Sequence, residues 1–270
     1  MSTTTPIPTA GSGRTLGLGQ ATDPSDAPSM ARLIRVELRK SYDTRAGFWL
    51  MVAIGVTCVG AVALRMLVDA GESRTFADYL SITQWPVGSL LPILGILLVT
   101  SEWSQRTALT TFALVPHRSH VLTAKVAAAT ILALAGVAVT ALAAAVGTVL
   151  TPVVTSGAAH WDVTAAQVGQ VTAVEIAYVL MGVAFGMALL RSPAAIVLYF
   201  LLPSLITFVV TVARSLEWLR EWFDLSTTTM PMYDGALRGD GWTHLAASLA
   251  VWLVLPFVVG WLRIDRGEID

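Results

Sequence analysis

Long runs with few or no charges dominate this chain, and each is long enough to cross a lipid bilayer as a helix. The hydrocarbon core of a bilayer requires about 20 apolar residues per helix. Six segments meet that requirement: residues 47–67, 79–101, 126–150, 171–190, 192–213 and 241–262. The sequence therefore predicts an all-α integral membrane protein with six transmembrane helices.

The composition excludes several other classes of protein. Of the 270 residues, 55% are hydrophobic and only 13% are charged, whereas a soluble domain carries about 25% charged residues. Almost every residue belongs to a membrane span or a connection, so no catalytic globular domain fits. The single cysteine, Cys58, excludes an intramolecular disulfide and a cysteine-based zinc site. The few cations form no basic face, so no nucleic-acid partner is expected.

The N-terminal residues differ sharply from the rest. Residues 1–30 are rich in Ser, Thr, Pro, Gly and Ala, with Arg14 as their one cation. They contain neither a basic n-region nor the apolar run of a signal peptide. We expect residues 1–30 to be a disordered cytoplasmic tail and residues 31–270 to be a six-helix domain. A translation start at Met30 is the alternative.

The distribution of Lys and Arg predicts the orientation in the membrane. The two termini and the even-numbered connections carry twelve of these cations, and the odd-numbered connections carry five. Cytoplasmic loops are the ones enriched in Lys and Arg. Both termini are therefore expected in the cytoplasm, which places the third and fifth connections outside.

The segment before the first span is amphipathic. Ala31, Ile34, Leu38 and Tyr42 share one helical stripe, and arginines occupy the other side. This pattern is typical of an interfacial elbow helix on the inner leaflet. Its polar residues of interest are Arg35, Glu37, Arg39 and Lys40. The segment is interpreted either as a positively charged anchor or as an elbow that also touches a cytoplasmic partner.

The second connection, residues 102–125, is longer than two antiparallel helices need. Leu109, Phe112 and Ala113 lie at helical spacing, and Pro116 then breaks the pattern. We expect an ordered helix, a break and a second helix. A solvated loop is the alternative.

A third amphipathic segment, Leu216–Phe223, lies between the fifth and sixth spans. Its apolar and aromatic residues cover one arc of a helical wheel, and Glu217, Arg220 and Glu221 cover the rest. This arrangement predicts an interfacial helix at the outer surface. Its role would be membrane anchoring or closure of a pathway from outside.

Two features fall inside the fourth span. Glu175 is the one ionisable residue clearly within a span, at a depth of roughly 5 to 8 Å for 1.5 Å per residue. It is either an acid at a helix end that reaches water or a candidate gate or substrate contact. Gly182 and Gly186 form a pair with small-xxx-small spacing, which permits close helix approach.

Motifs for nucleotide use or hydrolysis are absent from the sequence. It contains no phosphate-binding loop and no dinucleotide fingerprint. It contains no zinc-hydrolase or serine-hydrolase motif either. His117 and His120 lack a third ligand for a metal. We therefore expect no catalytic residue, no cofactor and no metal on this chain, which would not itself be an enzyme.

The second connection contains a recognisable set of residues: Glu102, Trp103, Thr107, Thr111, Phe112, Pro116, Arg118, Val121 and Lys125. Together they resemble the corresponding stretch of the ABC-2 type transporter permeases, particularly the actinobacterial ones. The stretch from Arg32 to Trp49 is similar to the N-terminal elbow of that family. With six spans and both ends inside, the resemblance covers residues 31–270.

The resemblance implies partners as well as a fold. Two permease subunits would pack as a homo- or heterodimer in a bacterial cell membrane, each on a separate ABC ATPase subunit that holds ATP and magnesium. A coupling helix in the second connection would contact that ATPase. The residues assigned to coupling are Glu102, Arg106, Thr107, Leu109, Phe112, Pro116 and Arg118. Arg106 departs from the family, which usually has Gly there, and a turn that needs positive φ would be strained.

The resemblance favours the membrane subunit of an ATP-driven exporter, and two other functions remain open. One is a membrane enzyme with a site near the outer surface, using Glu175, Asp162 or His160. The other is a non-transporting scaffold or immunity subunit built on the same fold. The spans show no ring of charges that would select an ion, which mildly favours a hydrophobic or amphipathic substrate.

Overall fold

The structure is a computed structural model that describes residues 29–68, 74–104 and 118–266. The predicted tail, residues 1–30, falls outside the described residues except for Ser29 and Met30. Ten α-helices are assigned in the described part. They are α1 (Met30–Asp43), α2 (Arg45–Leu67), α3 (Phe76–Ser104), α4 (Arg118–Val154), α5 (Ala165–Leu189), α6 (Ser192–Val212), α7 (Glu217–Phe223), α8 (Leu225–Tyr233), α9 (Gly241–Leu249) and α10 (Leu255–Arg266).

Six helical segments in the described residues are long and apolar enough to cross a membrane. Five of them are α2, α3, α4, α5 and α6. The sixth runs from Gly241 to Arg266 and consists of α9, a π turn at Ala250–Val254, and α10. The prediction of a multi-pass, all-helical membrane protein is confirmed at this level.

Helices α3 and α5 form the centre of the bundle. In their most apolar stretches 56% and 67% of the residues are buried, against 28% or fewer in the other four segments. Glycines bring the two helices into backbone contact. A Cβ at Gly182 would overlap the carbonyl oxygen of Pro92, and one at Gly95 would lie 2.6 Å from that of Val179. The close approach that the spacing of Gly182 and Gly186 permits is therefore present, between α5 and α3.

A sharp corner joins α1 to α2. Thr44 ends α1 and also caps α2, because its hydroxyl accepts a hydrogen bond from the Gly47 amide. A side chain at Gly47 would overlap the carbonyl of Ser41, so only glycine fits this corner. The corner sets the position of α1 against the rest of the bundle.

Several helix boundaries differ from those predicted by hydropathy. Helix α3 continues to Ser104 and α4 begins at Arg118, so residues 105–117 connect them. Helix α5 begins at Ala165 rather than near residue 171, because Thr164 caps it by accepting from the Gln167 amide. These first residues are helical without being strongly apolar, which is why a hydropathy pattern misses them.

Smaller elements lie at the end of the bundle opposite α1. Two short strands, β1 (Arg74–Thr75) and β2 (Ala159–His160), pair in parallel. The segment predicted as an interfacial helix is a 3₁₀ turn at Arg214–Leu216 followed by α7, and none of the α7 residues is buried. Helix α8, which the sequence analysis did not predict, follows α7 directly.

Candidate functional site

Four charged side chains form a closed cluster where α1 meets the end of α3 and the start of α4. The lysine–glutamate cluster consists of Glu37, Lys40, Glu102 and Lys125. The Lys125 ammonium lies 2.7 Å from Glu37 Oε2 and 3.2 Å from Glu102 Oε2. The Lys40 ammonium lies 2.7 Å from Glu37 Oε1 and 2.6 Å from Glu102 Oε1. Each carboxylate therefore bridges both lysines, and each lysine bridges both carboxylates.

Most of the lysine–glutamate cluster is removed from solvent. The Lys125 side chain is 2% exposed, and its ammonium also donates to the carbonyl of Leu98 over 2.9 Å. Glu37 and Glu102 are each 4% exposed. A buried charge is tolerated only when it is paired and hydrogen-bonded, and the closed arrangement satisfies that condition for all four residues.

These lysines are the two lysines of the whole chain, which otherwise uses 15 arginines as its cations. A lysine ammonium is compact and directs three donors from one nitrogen, whereas arginine presents a planar fork. Around Lys125 the two carboxylates and one carbonyl converge on a single nitrogen. The cluster therefore gives a structural reason for lysine at position 125.

Lys40 stays charged in this environment. Burial lowers the pKa of its ammonium, but Coulombic attraction by Glu37 and Glu102 and hydrogen bonds to both outweigh it, so the pKa lies above its ordinary value. Its side chain is 34% exposed. Lys40 is thus the member of the lysine–glutamate cluster nearest to solvent.

The position of α1 corrects one expectation from the sequence. Ile34 and Leu38 pack against the hydrophobic core of the bundle, whereas Ala31 and Tyr42 of the same stripe are exposed. The buried face of α1 also contains Glu37 and Ser41. The helix was expected to lie on the inner leaflet with only its apolar stripe covered, whereas the face that packs against the bundle also includes Glu37 and its ion pairs.

The other candidate residues lie partly at the surface, partly in the lysine–glutamate cluster and partly outside the described residues. Arg35 is exposed, and Arg39 pairs with Asp43 over 2.9 Å at the surface. Glu102 was expected at the start of an exposed segment and is instead buried in the cluster. Arg118 is the first residue of α4. The remaining coupling candidates lie outside the described residues: Arg106, Thr107, Leu109, Phe112 and Pro116.

A second feature is a cavity of about 450 Å³ between α3, α5, α6 and α8. Five aromatic side chains contribute to its wall: Trp85, Tyr178, Tyr199, Phe200 and Tyr233. A volume of this size is in the range that small-molecule sites occupy. No motif in the sequence indicated it, because its residues come from four helices.

Glu175 lies behind the cavity wall and far from any helix end. It is ten positions beyond the first residue of α5, about 15 Å along the axis at 1.5 Å per residue. Its side chain is 0% exposed, and neither carboxylate oxygen has a hydrogen-bond partner among the described residues. The expectation of a shallow acid that reaches water is therefore wrong. By contrast, His160 and Asp162, considered with Glu175 for an enzyme site, are exposed.

Polar contacts hold α7 and α8 against the bundle beside the cavity. Asp224 caps α8 and accepts from the Thr207 hydroxyl of α6 over 3.0 Å. The Gln167 amide of α5 donates to the carbonyl of Tyr233 over 2.9 Å. The Tyr178 hydroxyl lies 2.8 Å from that of Thr229. One side of the cavity is thus fixed by contacts to both neighbouring spans.

Comparison of the sequence with protein-family models finds no match, and comparison with curated proteins finds no similar sequence.

Proposed function

We propose that this chain is the permease subunit of an ATP-driven exporter of the ABC-2 type, working with a separate ATPase subunit in a bacterial cell membrane. The proposal rests on the residue pattern of the second connection and on six membrane-spanning helices. Under this proposal both termini and α1 lie in the cytoplasm, α1 is the elbow helix, and α7 lies at the outer surface. ATP and magnesium are held by the partner, and no nucleic acid is involved.

The observation that carries the proposal is that the lysine–glutamate cluster joins the two helices on either side of residues 105–117. Glu102 lies near the end of α3 and Lys125 near the start of α4, on either side of residues 105–117, and their side chains are 3.2 Å apart. Both are joined to Glu37 or Lys40 of α1. A force applied to the connection therefore reaches α1, α3 and α4 together.

An exporter whose driving ATPase is a separate subunit beside the membrane needs such a rigid joint. The partner must favour one of two packings of the spans, since it shifts an equilibrium only by binding them with different affinities. A loosely attached connection would absorb its movement instead of passing it on. The lysine–glutamate cluster supplies a short, buried linkage at the base of two spans.

The decisive experiment removes the expected anchor of the coupling helix. Phe112 is the aromatic residue in the apolar pattern of this connection, and truncation of an aromatic at the centre of a small interface costs about 2 kcal/mol or more. In a strain that expresses the tagged chain from its native locus, Phe112→Ala should reduce co-purification of an ABC ATPase at least tenfold. Membrane insertion should stay normal, since it depends on the spans.

Gln105→Ala is the matched control, because it changes a polar residue of the same connection. It should leave co-purification unchanged. If no ABC ATPase accompanies the unaltered chain, or if both variants lose the ATPase equally, the proposal fails. ATP-dependent flux in vesicles containing both subunits would separate a transporter from a scaffold.

A further inference from the structure

The charged residues that the structure describes at the cavity beside Glu175 are all of one sign. Among the described residues that line it, none is Lys, Arg or His, whereas one, Asp234, is acidic. Glu175 supplies a second carboxylate close to its wall. The charged groups at this cavity are therefore acidic, which disfavours an anionic occupant.

Gly88 lies between the cavity and the Glu175 carboxylate. A Cβ placed on Gly88 would lie 3.3 Å from Glu175 Oε1, 3.7 Å from the Tyr233 hydroxyl and 3.8 Å from Tyr178 Cδ2. Gly88, Tyr178 and Tyr233 all line the cavity. The absence of a side chain at position 88 thus brings the wall of the cavity close to the buried carboxylate.

Other acceptors near the cavity lack one of their usual donors. The amide nitrogen of Gln84 donates a hydrogen bond to the Thr140 hydroxyl. Its Oε1 is buried without a hydrogen-bond partner among the described residues. Prolines remove two helical donors, because proline has no N–H for the carbonyl four residues earlier. Pro92 leaves the carbonyl of Gly88 without its helical partner, and Pro203 does the same for Tyr199.

We propose that this cavity binds an organic cation whose apolar groups pack against the aromatic wall and whose positive centre faces Glu175. A buried carboxylate without a partner is costly, and a bound cation supplies the missing charge. The faces of Trp85, Tyr178 and Tyr233 attract cations as well. A protonated amine would in addition donate hydrogen bonds to acceptors near the cavity.

Two sources could provide such a cation: a dissolved amphipathic amine or the ammonium headgroup of a lipid. The binding site stands on its own geometry. The further idea that the bound ligand is also the exported molecule rests on the proposed transport function. Binding by the isolated chain tests the site without the ATPase, so the two ideas can fail separately.

The experiment measures binding of tetraphenylphosphonium to the full chain in dodecyl maltoside, an uncharged detergent, by equilibrium dialysis. Tetraphenylborate, which has nearly the same shape and the opposite charge, is the matched probe. Tetraphenylphosphonium should bind at least tenfold more tightly than tetraphenylborate after subtraction of binding to detergent alone. Equal binding of the two ions would overturn the proposal.

Two substitutions then locate the bound cation. Glu175→Gln should weaken tetraphenylphosphonium binding at least tenfold, whereas Glu217→Gln, at an exposed acid of α7, should not. Gly88→Ala keeps the carboxylate but covers it with a methyl group, and should also weaken binding. Gly60→Ala is its control, because a Cβ there meets open space. Unchanged affinity in a folded Glu175→Gln or Gly88→Ala protein would contradict the assignment.

A lipid competition identifies the source. If phosphatidylethanolamine displaces tetraphenylphosphonium and phosphatidylglycerol does not, the site belongs to a lipid ammonium headgroup. If neither lipid displaces it, the site belongs to a dissolved cation. Displacement by phosphatidylglycerol alone would contradict a cation site.

Discussion

Lys125 donates a hydrogen bond to Glu37 over 2.7 Å although 88 residues separate them in the sequence. Both side chains are at most 5% exposed. The pair joins α1 to the beginning of α4, and Glu102 adds the end of α3. Any movement of one of these three elements relative to the others must break a buried ion pair.

Removal of one charged partner should therefore strongly destabilise the folded protein. We expect Lys125→Met to lower the free energy of unfolding by about 3 to 5 kcal/mol, because it leaves two buried carboxylates to share the single ammonium of Lys40. Unfolding in detergent, followed by circular dichroism, measures the loss. Arg39→Met is the control, since its exposed pair with Asp43 is worth about 1 kcal/mol or less. Similar losses in both variants would show that the cluster does not stabilise the fold.

Arginine should not replace lysine equally well at the two positions. Lys125→Arg places a larger planar group where one nitrogen meets three acceptors, and we expect a loss of about 1 to 3 kcal/mol. Lys40→Arg should cost less, because the Lys40 side chain is 34% exposed and has room to move outward. The same unfolding measurement compares the two. A greater loss at position 40 would contradict the described geometry.

Backbone contact between α3 and α5 predicts intolerance to a single methyl group. Gly182→Ala should destabilise the protein by about 1 to 3 kcal/mol, because the added Cβ would overlap the carbonyl of Pro92. Gly60→Ala in α2 makes the same chemical change in open space and should be nearly neutral. Thermal unfolding of both variants in one detergent provides the test. Equal melting temperatures for Gly182→Ala and the unaltered chain would rule out the close contact.

Orientation can be tested with single cysteines in a Cys58→Ala background. Cys58 is 1% exposed, so its removal eliminates the one native thiol without altering the surface. Trp161→Cys and Met230→Cys, at residues 61% and 58% exposed, should react with a membrane-impermeant maleimide in intact cells. Asp43→Cys, in α1, should react only after the cells are opened. The reverse pattern would invert the proposed topology.

Hydropathy was sufficient to predict the six membrane helices, and the spacing of Gly182 and Gly186 showed where a close approach is permitted without identifying its partner helix. Hydropathy was not sufficient to locate the first residue of α5. The residues from Ala165 to Gln170 are only weakly apolar, so the span was expected to begin six residues later. Glu175 then seemed close to the surface, whereas the full helix places it deep in the bundle.

Both candidate sites are formed by residues that are far apart in the sequence, so no local sequence pattern predicts them. Glu37 and Lys125 were each assigned to a separate surface segment, since charged residues near span ends are usually solvated. Their pairing follows from the corner at Thr44, which turns α1 back onto the bundle. The one hint in the sequence was that an arginine-rich chain retains lysine at only two positions.

The π turn at Ala250–Val254 has a consequence for length variation in this chain. A π turn arises when one extra residue is accommodated within an α-helix, and here it separates α9 from α10. Deletion of a residue from a regular span rotates everything beyond it by about 100°. Deletion within the π turn would instead restore regular helix and leave both flanking faces in place. We therefore expect the sixth span to tolerate loss of one residue at this position better than a regular α-helical position would.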